Sequence, residues 1–152
     1  MPAAAITSTI DVDQPPAEVH ALLDDLSAHE PFTDHYITGW EVSGPARGVG
    51  ATARLKVKGG RSEITVVEST PTRIVEHGRG GPRGRFRTTG TYELAPREGG
   101  GTHITFRNTI DAPTAFERWI ARPALRRLQG DNDRAMQRLR ERLAQRAGTV
   151  AA

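Results

Sequence analysis

The side chains able to do chemistry in this 152-residue sequence are few and scattered. Histidine stands at 20, 29, 35, 77 and 103 with no His-x-x-x-His or His-Glu-x-x-His grouping, so no metal centre is expected. Cysteine is absent, which removes thiolate metal sites, Fe–S clusters, disulfides and cysteine nucleophiles together. No Gly-x-Ser-x-Gly elbow marks a serine nucleophile. The glycine-rich stretches 78–84 and 98–101 lack the Gly-Lys-Ser/Thr of a phosphate loop, and no cofactor is expected. Acid–base and hydrogen-bonding chemistry remains. For that Tyr36, Tyr92, Asn108 and His29 are the candidates, since an imidazole titrates near neutral pH and a phenol or carboxamide can orient a carbonyl or enol. Glu76 and His77 are neighbours on one predicted strand, so only one of them can point inward, and parity leaves open which. An inward Glu76 is costly unless paired, for instance by an arginine.

These groups must be positioned by elements that the hydropathy pattern announces. Ile6, Ser8, Ile10 and Val12 alternate with Thr7, Thr9 and Asp11, the period of a half-buried strand. Asp13-Gln-Pro-Pro-Ala-Glu18 then offers a capping acid and first-turn prolines to a helix whose Val19, Leu22, Leu23 and Leu26 share one face. Residues 27–36 suit a second short helix or a tight loop. Six strands are predicted next, at 37–43, 51–58, 62–69, 73–79, 84–94 and 102–110. Turn residues separate them, among them Gly44-Pro45, Thr70-Pro71 and Gly99-Gly100-Gly101. Thr114-Ala-Phe-Glu117 reads as a capping box for a long final helix. Its stripe of Phe116, Trp119, Ile120, Leu128, Met136, Leu139 and Leu143 runs over some thirty residues, with Pro123 expected to bend the helix or end a first segment.

Length and composition bound the answer further. The chain is the size of one domain, with a core expected over about 4–147 of residues 1–152. No apolar run reaches membrane-spanning length and the N-terminus lacks the pattern of a secretory signal, so a cytoplasmic protein is expected. Nineteen of the 21 basic residues are arginine, the bias of a GC-rich, bacterial genome. Residues 1–46 hold eight acids and no Lys or Arg, whereas 47–87 hold ten basic residues against three acids, which describes a dipolar surface. Gly78-Arg-Gly-Gly-Pro-Arg-Gly-Arg-Phe-Arg87 has the look of an RNA-binding run, but between two strands it reads as a basic hairpin tip, and nucleic acid is not an expected partner. Arg134, Arg138 and Arg142 keep one helix face wet and leave room for weak contact with an acidic carrier protein or an anionic membrane.

One strand, two short helices, a meander and a long amphipathic helix describe an α+β helix-grip fold, a curved seven-stranded antiparallel sheet around the C-terminal helix. Together with Asp11-Val-Asp-Gln-Pro-Pro-Ala-Glu-Val19, Arg47-Gly-Val-Gly-Ala51, Val66-Val-Glu-Ser-Thr-Pro71, Gly90-Thr-Tyr-Glu-Leu94 and Asn132-Asp-Arg-Ala-Met-Gln-Arg-Leu139, this order resembles the START-like or SRPBCC superfamily of polyketide cyclase/dehydrase and lipid-transport proteins. The resemblance implies an internal cavity between sheet and helix. Strand parity and the resemblance assign to its lining Phe86, Thr88, Gly90 and Tyr92 on one strand, Phe106 and Asn108 on the next, and Thr65 and Val67 on an earlier one. Tyr36 and Trp40 would stand at the mouth, with Asn132 and Met136 on the helix. The function implied is binding of an apolar or aromatic small molecule, such as a lipid, isoprenoid or polyketide, by a monomer or homodimer. The alternative is a polyketide cyclase/aromatase performing aldol closure and dehydration, although the tryptophans and inward arginine of related aromatases are absent here. A second alternative is an interaction protein using its basic surface.

Overall fold

The alternation of Ile6, Ser8, Ile10 and Val12 does build a strand, β1 (Ala4–Val12), and all four residues are buried on one face. The computed structural model describes residues 4–58, 60–80, 86–111 and 115–151. After β1 come α1 (Pro16–Leu23), a 3-10 turn (Leu26–Ala28) and α2 (Glu30–Thr33). The strands β2 (Ile37–Ser43), β3 (Thr52–Val57), β4 (Gly60–Thr70), β5 (Arg73–Gly80), β6 (Phe86–Pro96) and β7 (Thr102–Asp111) follow. The helix α3 (Ala115–Ala151) closes the chain.

The sheet has the order β1-β7-β6-β5-β4-β3-β2, antiparallel throughout. Because β1 and β2 occupy opposite edges, the two short helices carry the chain across the sheet. They bury Val19, Leu22, Leu23 and Phe32 on its inner face as they do so. α1 begins after Pro15, whose carbonyl accepts from the Glu18 and Val19 amides, and it has no side-chain cap, so Asp13 does not play the part expected of it. Curvature is helped by two irregularities of register, one between Thr38 and Glu41 and one between Val66 and Glu68. The first contains Gly39 at φ +64°, a left-handed conformation that residues with a Cβ avoid.

α3 is one helix through Pro123, which does not end it. Inside a helix a proline forfeits one backbone bond and crowds the preceding turn, a cost of about 3 kcal/mol, and the exposed Pro123 leaves the opened carbonyl to water. Among the described side chains the apolar stripe is buried in its second half, where Ala135, Met136, Leu139 and Leu143 are inside, while Phe116 and Trp119 are 67% and 63% exposed and the Ile120 side chain lies outside the described ones. The expected Thr114 cap, and the central part of the basic 78–87 run, lie outside the described residues. The second half of α3 is tied to β1 on one side and to the α2–β2 connection on the other. On the β1 side Ser8 Oγ donates to Asp133 Oδ1 at 2.6 Å and accepts from Gln129 Nε2 at 3.1 Å. On the other side Arg138 pairs with Asp34 and donates to His35 Nδ1 at 2.9 Å, while His35 Nε2 donates to the Asp131 carbonyl at 3.0 Å.

Candidate functional site

Register decides which side chains meet on the inner face. Tyr92 lies opposite Ile74 on one side and Phe106 on the other, and Gly90 lies between Glu76 and Asn108. With Ile74, Tyr92 and Phe106 buried, alternation sends Glu76, Gly90 and Asn108 to the same inward side. The question left open by the sequence is thereby settled: Glu76 points in, 7% exposed, and His77 points out to solvent. No arginine among the described residues meets Glu76. Among the described residues no lysine or arginine is buried, and burial alone pushes the Glu76 carboxyl up to about 7.

Gly90 admits this arrangement by having no side chain. A Cβ there would come within 3.2 Å of Phe106 Cε2 and 3.7 Å of Glu76 Oε2, so the Phe106 ring and the carboxyl occupy the space a larger residue would claim. Phe106 stacks on Tyr92 with ring centroids 4.4 Å apart. Beyond Tyr92 lies His29, whose ring meets those of Tyr92, Trp40 and Phe32 at 6.2, 5.8 and 5.1 Å. From α3, Asn132 reaches the same interior and its Oδ1 accepts from the Tyr36 hydroxyl at 3.3 Å, with Met136 buried one turn on. Burial raises the pKa values of both phenols, Tyr36 and Tyr92, so each stays protonated, and the negative field of Glu76 adds to the effect.

Among the described residues, three buried polar atoms of this inner face have no hydrogen-bond partner: Trp40 Nε1, Glu76 Oε1 and Asn108 Oδ1. Buried polar groups are nearly always paired, and leaving one unpaired costs about 1–3 kcal/mol, so three together mark a place that a ligand or water completes.

Several expected lining residues lie elsewhere. Thr65 pairs in register with His77 and shares a 3.2 Å hydroxyl contact with Thr52, which places it on the outer face. Val67 falls at the β4 irregularity and is 40% exposed. The extra residue there shifts the parity of the strand, so a count carried from one end fails at the other. Phe86 keeps inward parity opposite Gly80 but is 40% exposed at the end of β6, a rim position. Thr88 is half-buried beside Gly78. His29 is no loop histidine open to solvent: it is 2% exposed, its Nε2 donates to the Leu23 carbonyl at 2.8 Å, and burial lowers its pKa to about 4. A neutral ring already engaged with backbone supports the wall of the site and is a poor acid or base. Glu76, which the sequence reading left outside the candidate set, takes its place. The β5–β6 register would have found it, but that register depends on a turn whose length the sequence does not declare.

A curved antiparallel sheet gripping a C-terminal helix over an aromatic interior with a polar minority defines the helix-grip fold. The chain belongs to the polyketide cyclase/dehydrase and lipid-transport family, whose model matches residues 3–144. A search of curated proteins finds no match. Solved structures with the same fold include KanY, at 19% identity over 95% of this chain and 99% of that one, with a TM-score of 0.74. Norcoclaurine synthase from Thalictrum flavum, solved with a transition-state analogue, superposes at 9% identity, 96% and 97% coverage and a TM-score of 0.77. A START superfamily protein from Mycobacterium smegmatis gives 16%, 93% and 97%, and 0.67. At these identities the likeness is one of fold, and the family supports a ligand-binding or cyclase role. Among the described residues no helix is long and apolar enough to cross a membrane, and no cluster of three His, Asp or Glu offers a metal site.

Proposed function

We propose that this chain binds an apolar or aromatic small molecule, of lipid, isoprenoid or polyketide type, on the inner face of the sheet beneath α3. The observation that carries the reading is the set of unpaired buried atoms, Trp40 Nε1, Glu76 Oε1 and Asn108 Oδ1, on a surface otherwise made of Tyr92, Phe106, Ile74 and Met136. Apolar side chains supply the affinity and a few fixed polar groups the orientation. Native mass spectrometry of the purified protein, followed by denaturing extraction, tests it: a co-purifying apolar molecule supports the reading. A protein that stays empty when offered lipids, isoprenoids and polyaromatics overturns it.

A cyclase reading rests on one feature, a buried carboxyl near pKa 7 in an interior that holds two protonated phenols. Such a carboxyl can take and return a proton at neutral pH while a phenol stabilises an enolate oxygen. Turnover of a poly-β-ketone lost in Glu76→Gln favours this reading. The basic surface has less support, because Arg54 and Arg73 already pair with Glu63 and Glu68 along it. Weak contact with an acidic carrier or an anionic membrane would fall on Arg134, Arg138 and Arg142, and of these Arg138 already pairs with Asp34.

A further inference from the structure

The three orphan atoms are not equivalent. Two of them, Glu76 Oε1 and Asn108 Oδ1, are acceptors, and they flank Gly90 on adjoining strands. The carboxyl leans across Gly90 towards β7, since its Oε2 lies 3.7 Å from where a Gly90 Cβ would be. Neighbouring strands are about 4.8 Å apart, so the strands of Glu76 and Asn108 are about 10 Å apart, a gap that the Glu76 carboxyl narrows by leaning over Gly90. A group that satisfies both acceptors must donate at least two hydrogen bonds, which a water molecule or an ammonium can do. A ligand carbonyl would bring a further acceptor to a place that already has two, and a hydroxyl donates only once. Among the described residues none supplies a cation here, since no lysine or arginine is buried. The adjoining walls are the stacked rings of Tyr92 and Phe106, whose faces attract positive charge.

We propose that the ligand of this site carries a protonated amine, seated against Glu76 as its counter-ion with Asn108 Oδ1 accepting a second N–H, and an apolar or aromatic body lying along Tyr92 and Phe106. This rests on the ligand-binding reading above and names the polar end of the ligand. Trp40 Nε1, the orphan donor, has the opposite requirement and is met by an acceptor elsewhere on the molecule. Binding follows the ionisation of Glu76, because the groups facing it hold their charge state between pH 5 and 8. Tyr92 on β6 and Tyr36 before β2 are raised and stay neutral, His29 before α2 is lowered to about 4 and stays neutral, and Asn108 on β7, Asn132 on α3 and Val66 on β4 do not titrate. Asp131 on α3, whose field reaches Tyr36, is half-buried.

The test uses two probes of equal size, 2-phenylethylamine and 2-phenylethanol, titrated into the full chain by calorimetry or NMR at pH 8 and pH 5. The amine is expected to bind about tenfold or more tightly than the alcohol at pH 8. That advantage is expected to disappear at pH 5 and in Glu76→Gln, and to shrink in Asn108→Leu, with the alcohol little affected in each case. Equal binding of the two probes at pH 8 overturns the amine assignment and leaves the ligand-binding reading standing. No response of the inner-face residues to either probe, or to neutral polyaromatics, overturns both. The wild-type pH comparison needs no variant, so a misfolded Glu76→Gln does not rescue or sink the proposal.

Discussion

Glu76 and His29 are buried in one interior with opposite consequences for stability. Glu76 has its folded pKa raised from 4.5 to about 7, so its favourable protonated form is fully present below 4.5 and stability is lost as pH climbs through 7. His29 has its pKa lowered from 6.5 to about 4, so its contribution is present above 6.5 and is lost as pH falls through 4. Each shift corresponds to roughly 3 kcal/mol. Between pH 4.5 and 6.5 the two slopes oppose one another and the wild type is expected to be nearly flat. Glu76→Gln removes one slope. Urea midpoints of variant and wild type should therefore move apart in the variant's favour by roughly 3 kcal/mol from pH 4.5 to 7, and a gap that stays constant with pH would refute the buried, unpaired state of Glu76. Gly90→Ala belongs to the same scale. Its Cβ would press on the Phe106 ring at 3.2 Å, with an expected cost of about 1–3 kcal/mol in thermal or urea unfolding and weaker binding of any ligand held by Glu76.

Among the elements, α3 divides into a half that holds the fold and a half that does not. Asn132, Ala135, Met136, Leu139 and Leu143 keep helical spacing and lie inside, with Ser8, Asp133 and Gln129 fixing the helix along β1. Leu139→Ala is expected to cost about 2–5 kcal/mol, since the cavity it leaves adjoins packed residues on all sides. Trp119→Ala, although it removes the larger side chain, should change the unfolding free energy by no more than about 0.5 kcal/mol because the ring is 63% exposed. Equal costs for the two would mean that the first turns of α3 are covered in solution. The stripe from Phe116 to Leu143 was readable as an amphipathic face, and that face exists. Whether a partner surface lies under each turn is a property of the sheet's extent, which residue spacing along the helix does not contain.

For the whole molecule, the charge asymmetry and the interior site make different demands on solution conditions. An apolar or aromatic ligand beneath α3 is shielded from counterions, so its affinity should change by less than about twofold between 50 and 200 mM salt. A partner neutralising many phosphates would lose about a thousandfold or more over that range. A steep salt dependence of whatever partner co-purifies would transfer the function to the basic surface. The sequence by itself determined the order of elements and the alternation of β6 and β7, hence Tyr92, Phe106 and Asn108 as inward residues, because side-chain period is a local property of extended and helical backbone. Only the tertiary structure decided that Glu76 and not His77 faces in, that Thr65 and Val67 face out, and that His29 is buried against Tyr92 and Trp40. Each of those outcomes depends on the register between strands, or on a helix carried across the sheet. Register and crossing are fixed by pairings between residues far apart in the chain, which no local pattern records.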